Sequence, residues 1–205
     1  MGKNGNRVKH SLPVFTQLLV QQKRIVTGQF DNEIVLGSSD APINIIAVSG
    51  LYCNPCRIKH EVINQLVDIY SGKVNVTLRF VPEGKDVRAV GYLLGYWLQC
   101  VRNKNNESEN TMKLMHDWFD LWNLERFMKK YPVDVINSVE IEKIETQHYK
   151  WVNEVGIKAT PTFFINGYEL PKEYTIDDLL VLTPSLADSY SEKEKIETTL
   201  QTIAN

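Results

Sequence analysis

The stretch from Ala41 to Val67, APINIIAVSGLYCNPCRIKHEVINQLV, decides the fold. Its apolar run, Ile43, Ile45, Ile46, Ala47 and Val48, stops at Ser49-Gly50 and reads as a buried strand. Cys53 and Cys56 follow at C-x-x-C spacing, and apolar residues then recur at helical intervals: Ile58, Val62, Ile63, Leu66 and Val67. The pattern predicts a helix from about Asn54 to Tyr70, closed by Ser71-Gly72. Pro55 suits its first turn, where proline sacrifices no intrahelical bond. A strand therefore delivers two cysteines to a helix start. There, unpaired backbone N–H groups and the positive end of the helix dipole favour a thiolate over a thiol.

On the far side of this helix, Val74 to Val81 (VNVTLRFV) alternates Val74, Val76, Leu78 and Phe80 with Asn75, Thr77 and Arg79. This predicts a strand with one buried face, more covered at Val81. Strand, helix and strand at this spacing form a β-α-β unit, so the two strands should be parallel. Upstream, Leu12 to Val26 contains a short helix with Phe15, Leu18 and Leu19 on one side, and Glu33 to Gly37 is a brief strand.

From Gly84 to Gly156 no alternating run occurs. Helices are expected over Ala89–Val101, Thr111–Lys130 and Ser138–Val155, with a polar loop at Asn103–Asn110. Trp97, Trp118, Trp122 and Trp151 read as the bulky core of this helical insertion, with a groove beside the cysteines as the other reading. The sheet resumes at Thr162–Ile165, and Asn166-Gly167 before Tyr168–Leu170 signals a hairpin. Thr175 and Asp178 have capping-box spacing before a short helix at Leu179. Ser191 to Ile203 reads as a separate terminal helix. The expected organisation is a lead-in over 1–32, a first half of the fold over 33–83, the helical insertion over 84–156 and a second half over 157–205.

A chain of 205 residues, 43% hydrophobic, can bury one core with a large insertion. Its 23 basic and 25 acidic residues leave no electrostatic case for nucleic acid. Three cysteines are too few for a disulfide scaffold. Cys100, within YLLGYWLQC, reads as an inert buried thiol, with a resolving or regulatory thiol as the other reading. No run reaches transmembrane length. The basic start followed by SLPVFTQLLVQQ is interrupted by Thr16 and Gln17 and is not read as a signal peptide. The sequons at Asn75 and Asn106 match at chance level.

Between the two cysteines the roles follow from position. Cys53, at the helix mouth, forms the mixed disulfide, and Cys56, one turn further in, resolves it. Asn54 and Pro55 modulate the stability of the reduced pair. His60 shares their side of the helix, too far along to touch Cys53, and reads as a satisfied or surface histidine or as an electrostatic influence on Cys56. A single C-x-x-C supplies only half of a structural zinc site, so no metal is expected. A purely structural disulfide across so short a loop would stabilise little. No G-x-G-x-x-G occurs, so no nicotinamide or flavin cofactor is expected.

GLYCNPC after a strand, together with GIKATPTFFING at Gly156 to Gly167, resembles the thioredoxin superfamily, and the long helical insertion resembles its DsbA-like exported disulfide oxidoreductases. EIVLGSSDAPINIIAVSGLYCNPC, from Glu33 to Cys56, is also similar to thioredoxin-like domains fused to vitamin K epoxide reductase-type membrane proteins. The resemblance runs from Glu33 to about Leu182. It implies an α/β thioredoxin fold: a central mixed sheet flanked by helices, with the all-helical insertion between the β-α-β unit and the C-terminal hairpin. It implies Cys53 as nucleophile, Cys56 as resolving thiol and Pro161 as a cis-proline facing them; an X-Pro bond costs only about 0.5–1 kcal/mol to turn cis. The backbone of Thr160 would then pair with an extended substrate chain, and Tyr52 would add to the substrate-binding surface. The acid usual in such proteins six residues before the first cysteine is replaced by Ala47, leaving Glu61 or His60 as substitutes.

The expected function is thiol-disulfide exchange with extracytoplasmic proteins, alongside a membrane redox partner or a fused membrane domain. The alternative is a peptide-binding or chaperone-like domain with secondary redox activity.

Overall fold

Ile43, Ile45 and Ala47 of the central strand belong to one apolar cluster, and Ile46 and Val48 to a second on the opposite face. A strand buried on both sides needs a near-continuous apolar run, which this one has. In the computed structural model, which describes residues 8–28, 30, 32–102, 107–134 and 138–204, that strand lies in the middle of a five-stranded sheet. The strands are β1 (Ile34–Gly37), β2 (Ile43–Ser49), β3 (Val74–Phe80), β4 (Thr162–Ile165) and β5 (Tyr168–Glu169), in the order β1-β3-β2-β4-β5. β2 and β3 are parallel and the remaining pairs antiparallel, so the sheet is mixed, as expected.

The helices are α1 (Leu12–Val20), α2 (Asn54–Ile69), α3 (Asp86–Arg102), α4 (Glu107–Leu121), α5 (Leu124–Lys130), α6 (Ser138–Val155) and α7 (Leu179–Ala204), the last entered through a 3-10 turn at Ile176–Asp178. Helices α1, α2 and α7 share the larger cluster with Leu93 of α3 and Trp118 of α4, while Trp151 and Val152 of α6 cover the other face. None of the helices among the described residues is long and apolar enough to cross a membrane. The β4–β5 turn has φ 46° at Asn166 and 87° at Gly167, the left-handed pair that a type I′ hairpin requires.

Three elements depart from expectation. β3 is covered on both faces. Asn75 is buried with its Nδ2 donating to Ser38 O at 3.0 Å, which removes it as a glycosylation acceptor; Asn106 lies outside the described residues. Arg79 is 1% exposed: Nε donates to Glu33 Oε1 at 2.6 Å, Nη2 donates to Gly28 O at 2.7 Å, and the guanidinium lies between the rings of Phe30 and Trp151. The covering layer, α6 and the segment before β1, comes from distant sequence, so alternation within β3 carries no sign of it. Removing one partner of a buried pair leaves the other charge uncompensated. Glu33→Ala is therefore expected to cost about 3–5 kcal/mol in urea unfolding, most of it recovered in the Glu33→Leu/Arg79→Met double variant.

The helix expected over Thr111–Lys130 begins earlier, at Glu107, and is two helices. Trp122 adopts φ 48°, and the Asn123 side chain accepts the N–H of Arg126 at 2.9 Å, capping α5. Of the expected polar loop, residues 103–106 lie outside the described residues. Near the C-terminus one helix replaces two, running through Pro184. Proline deprives the carbonyl four residues back, Leu180 O, of its usual donor; the hydroxyl of Tyr70, the C-cap of α2, donates to that oxygen instead. At the other end, α1 stops at Val20, and Arg24 forms an isolated bridge to Tyr168.

Candidate active site

Cys53 is the N-cap of α2, in extended conformation, and its Sγ accepts the N–H of Cys56 at 3.2 Å. A sulfur thus occupies the place that serine or aspartate oxygen takes at other helix starts. The two cysteines are joined as a disulfide, with Cα atoms 5.2 Å apart. Their surroundings are unequal: Cys56 is buried at 3% exposure, Cys53 is half-buried, and Asn54 and Pro55 between them are exposed. One sulfur faces the outside and the other stands behind it.

β4 runs antiparallel to β2 with Thr162 opposite Val48, so the residues just before β4 reach the loop that follows β2. Thr160-Pro161 is cis, and Thr160 O lies 3.4 Å from Cys53 Sγ. Gly50 makes this approach possible. A Cβ on Gly50 would stand 3.3 Å from Cys53 Cβ, 3.5 Å from Asp86 Oδ2 and 3.6 Å from Thr160 Oγ1. Two clefts flank the junction. One of about 300 Å³ is lined by Cys53, Asp86, Thr160, Glu83 and Lys158; one of about 260 Å³ by Pro161, Phe163, Leu170, Tyr174 and Ile176.

Tyr52 is half-buried and meets Trp118 and Trp122 edge to face, with centroids 5.3 and 6.4 Å away. Trp118 Nε1 donates to Leu51 O at 2.9 Å, and Arg57 lies over the ring of Trp122. Two of the four insertion tryptophans therefore brace the cysteine loop, while Trp151 sits on the opposite face of the sheet. Asp86, at the start of α3, accepts the N–H of Tyr52 at 2.7 Å and the N–H of Leu51. Burial raises its carboxyl above the ordinary range, against the lowering by those N–H groups and Lys85. Sequence reasoning missed Gly50 and Asp86 as parts of the site, and Trp118 and Trp122 bear out the second of its two readings, a place beside the cysteines. The one signal for Asp86 was its acidic character just before the apolar run of α3.

His60 is neither satisfied nor on the surface. It is 4% exposed, its ring 4.9 Å from Phe119, and its Nε2 has no hydrogen-bond partner among the described residues. Burial first, and then the neighbouring His116, lower its pKa to about 4. Glu61 is exposed on α2, and Ala47 is buried in the sheet between Leu78 and Phe163, so no acid stands at that place. Cys100 is half-buried rather than fully enclosed, with its side chain hydrogen-bonded to Tyr96 one turn away.

A C-x-x-C disulfide at a helix start, with one sulfur open to attack, is a centre for thiol-disulfide exchange. No curated protein matches the chain by sequence. Solved structures do match its fold. The catalytic domain of ScsC from Proteus mirabilis superposes with TM-score 0.62 at 16% identity, covering 86% of this chain and 97% of that one. A periplasmic thioredoxin-like protein from Salmonella enterica serovar Typhimurium gives 0.60 at 15%, over 78% and 99%. The thiol-disulfide exchange protein alpha-DsbA2 from Wolbachia pipientis gives 0.60 at 13%, over 91% and 100%. At such identities the likeness is one of fold. The sequence model of the family described as Thioredoxin matches residues 29–182, which include the whole sheet, both cysteines and Pro161, and the chain belongs to that family.

Proposed function

We propose that the protein is a thiol-disulfide oxidoreductase that exchanges disulfides with extracytoplasmic proteins, with Cys53 as the attacking thiolate and Cys56 as the resolving thiol. The observation that carries this reading is the placement of Cys53 Sγ. It caps α2, lies 3.4 Å from Thr160 O, and is the accessible member of a pair whose other sulfur is buried.

In the reducing direction, Cys53 thiolate attacks one sulfur of a substrate disulfide and the other substrate sulfur leaves as thiolate. Cys56, as thiolate, then attacks Cys53 Sγ, releasing the second substrate sulfur and closing the Cys53–Cys56 bond. Oxidation of a substrate dithiol is the reverse sequence. The backbone of Thr160 pairs with an extended substrate chain. The apolar cleft beside Pro161 and the ring of Tyr52 receive the neighbouring substrate side chains, while Asn54, Pro55 and His60 modulate the pair. An extracytoplasmic setting is supported by the Salmonella relative, described as periplasmic. The likeness of Glu33–Cys56 to domains fused to vitamin K epoxide reductase-type membrane proteins supports a membrane redox partner that renews the pair.

Cys53→Ser is expected to abolish catalysed insulin reduction and dithiol oxidation. Retained activity in that variant would sink the reading. The apolar cleft favours a second, chaperone-like reading, which requires the double cysteine variant to keep suppressing client aggregation.

A further inference from the structure

The disulfide carries no charge, whereas the reduced pair carries a thiolate at Cys53. Any fixed charge near that sulfur therefore changes the energy of the reduced form and leaves the oxidised form nearly untouched. The dipole of α2 stabilises the thiolate. Asp86 opposes it. Its carboxylate accepts the N–H groups of Tyr52 and Leu51, the two residues immediately before Cys53. Its Oδ2 is 3.5 Å from the point where a Gly50 Cβ would stand, and that point is 3.3 Å from Cys53 Cβ. Because residue 50 is glycine, no side chain at that position intervenes, and both groups line the same cleft.

Resting on the thiol-disulfide reading above, we propose that Asp86 is a positioning residue that sets the redox potential of the pair. It ties down the loop presenting Cys53, and its negative charge disfavours the Cys53 thiolate, moving the pair toward the reducing side of the position that the helix start alone would give it. The site thus obtains an acid, but from the start of the insertion rather than from the central strand, where Ala47 stands. The other charges facing the same space are Lys85, whose ammonium lies 4.6 Å above the Tyr52 ring, and Glu83 and Lys158, which line the same cleft. Lys85 partly neutralises Asp86.

The test is the equilibrium of the Cys53–Cys56 pair with glutathione, read with the ultraviolet titration of the Cys53 thiolate. Asp86→Asn keeps an oxygen for the Tyr52 N–H and removes the charge. It is expected to make the disulfide roughly tenfold easier to reduce, equivalent to about 30 mV, and to move thiolate formation to lower pH. Lys85→Met, at an exposed position, is expected to shift both readings the opposite way, and it decides the matter if Asp86→Asn folds poorly. Active exchange with neither reading altered overturns the proposal, as does an Asp86→Asn variant that loses thermal stability alone. A wild-type pair that does not exchange with glutathione overturns the functional reading, and this proposal with it.

Discussion

Cys56→Ser is expected to hold the protein on its partners as covalent adducts, with turnover reduced roughly 10³-fold or more. The reason lies in the unequal burial of the two sulfurs. Cys53 remains at the mouth of α2, open to attack a disulfide, and it keeps the helix start that favours its thiolate. The group that releases the substrate is the buried sulfur behind it, and serine oxygen cannot displace a thiolate under these conditions. Mixed disulfides should appear as higher bands on non-reducing gels and vanish with dithiothreitol. Peptide mapping should place them on Cys53. Extracytoplasmic clients and any membrane redox partner would be captured in the same experiment. Adducts confined to Cys100, whose half-buried thiol is the free one, would contradict the assignment of roles.

Mild acid is expected to destabilise the oxidised protein through two histidines. His60 and His148 are 4% and 1% exposed, and burial lowers the pKa of each from 6.5 to about 4, with Arg79 adding to the effect at His148. The native state therefore binds fewer protons than the unfolded chain between those values. The stabilisation is fully present above pH 6.5 and is lost as the pH falls toward 4, roughly 3 kcal/mol for each histidine over the whole window. Protonation also converts His148 Nδ1, which accepts the N–H of Phe80 at 3.3 Å, from an acceptor into a donor. Urea midpoints measured near pH 7 and near pH 5 should differ sharply in the wild type and by less in His148→Asn and in His60→Leu. An unchanged difference in both variants would show that neither ring is held neutral by burial.

The two histidines also mark how much of the chain is legible in its sequence. Helical spacing, a local property, puts His60 on roughly the same side of α2 as the cysteines. Whether that face met solvent or Phe119 depended on α4, more than fifty residues away. The same division separates Arg79 from its strand. Period-two alternation identifies β3 and one buried face but says nothing of the second layer that α6, Phe30 and Glu33 lay over it. The spacing near the C-terminus reads as a short helix at Leu179 and a separate one from Ser191, where the structure has a single helix running through Pro184. The helix continues since Tyr70, from another element, serves the carbonyl left over.

The sequence by itself determined the parts whose causes lie within a few residues: the apolar run of β2, the cysteines at the opening of α2, the parallel return through β3 and the Asn166-Gly167 turn. These rest on periodicity, capping and backbone preference, which a local window contains. Only the tertiary structure decided that Asp86, Trp118 and Trp122 close around the cysteine loop and how near Thr160 comes to Cys53. Those contacts depend on which surfaces the sheet order β1-β3-β2-β4-β5 and the helical insertion bring together. Burial and electrostatic fields are properties of that assembled neighbourhood, not of any one stretch of chain.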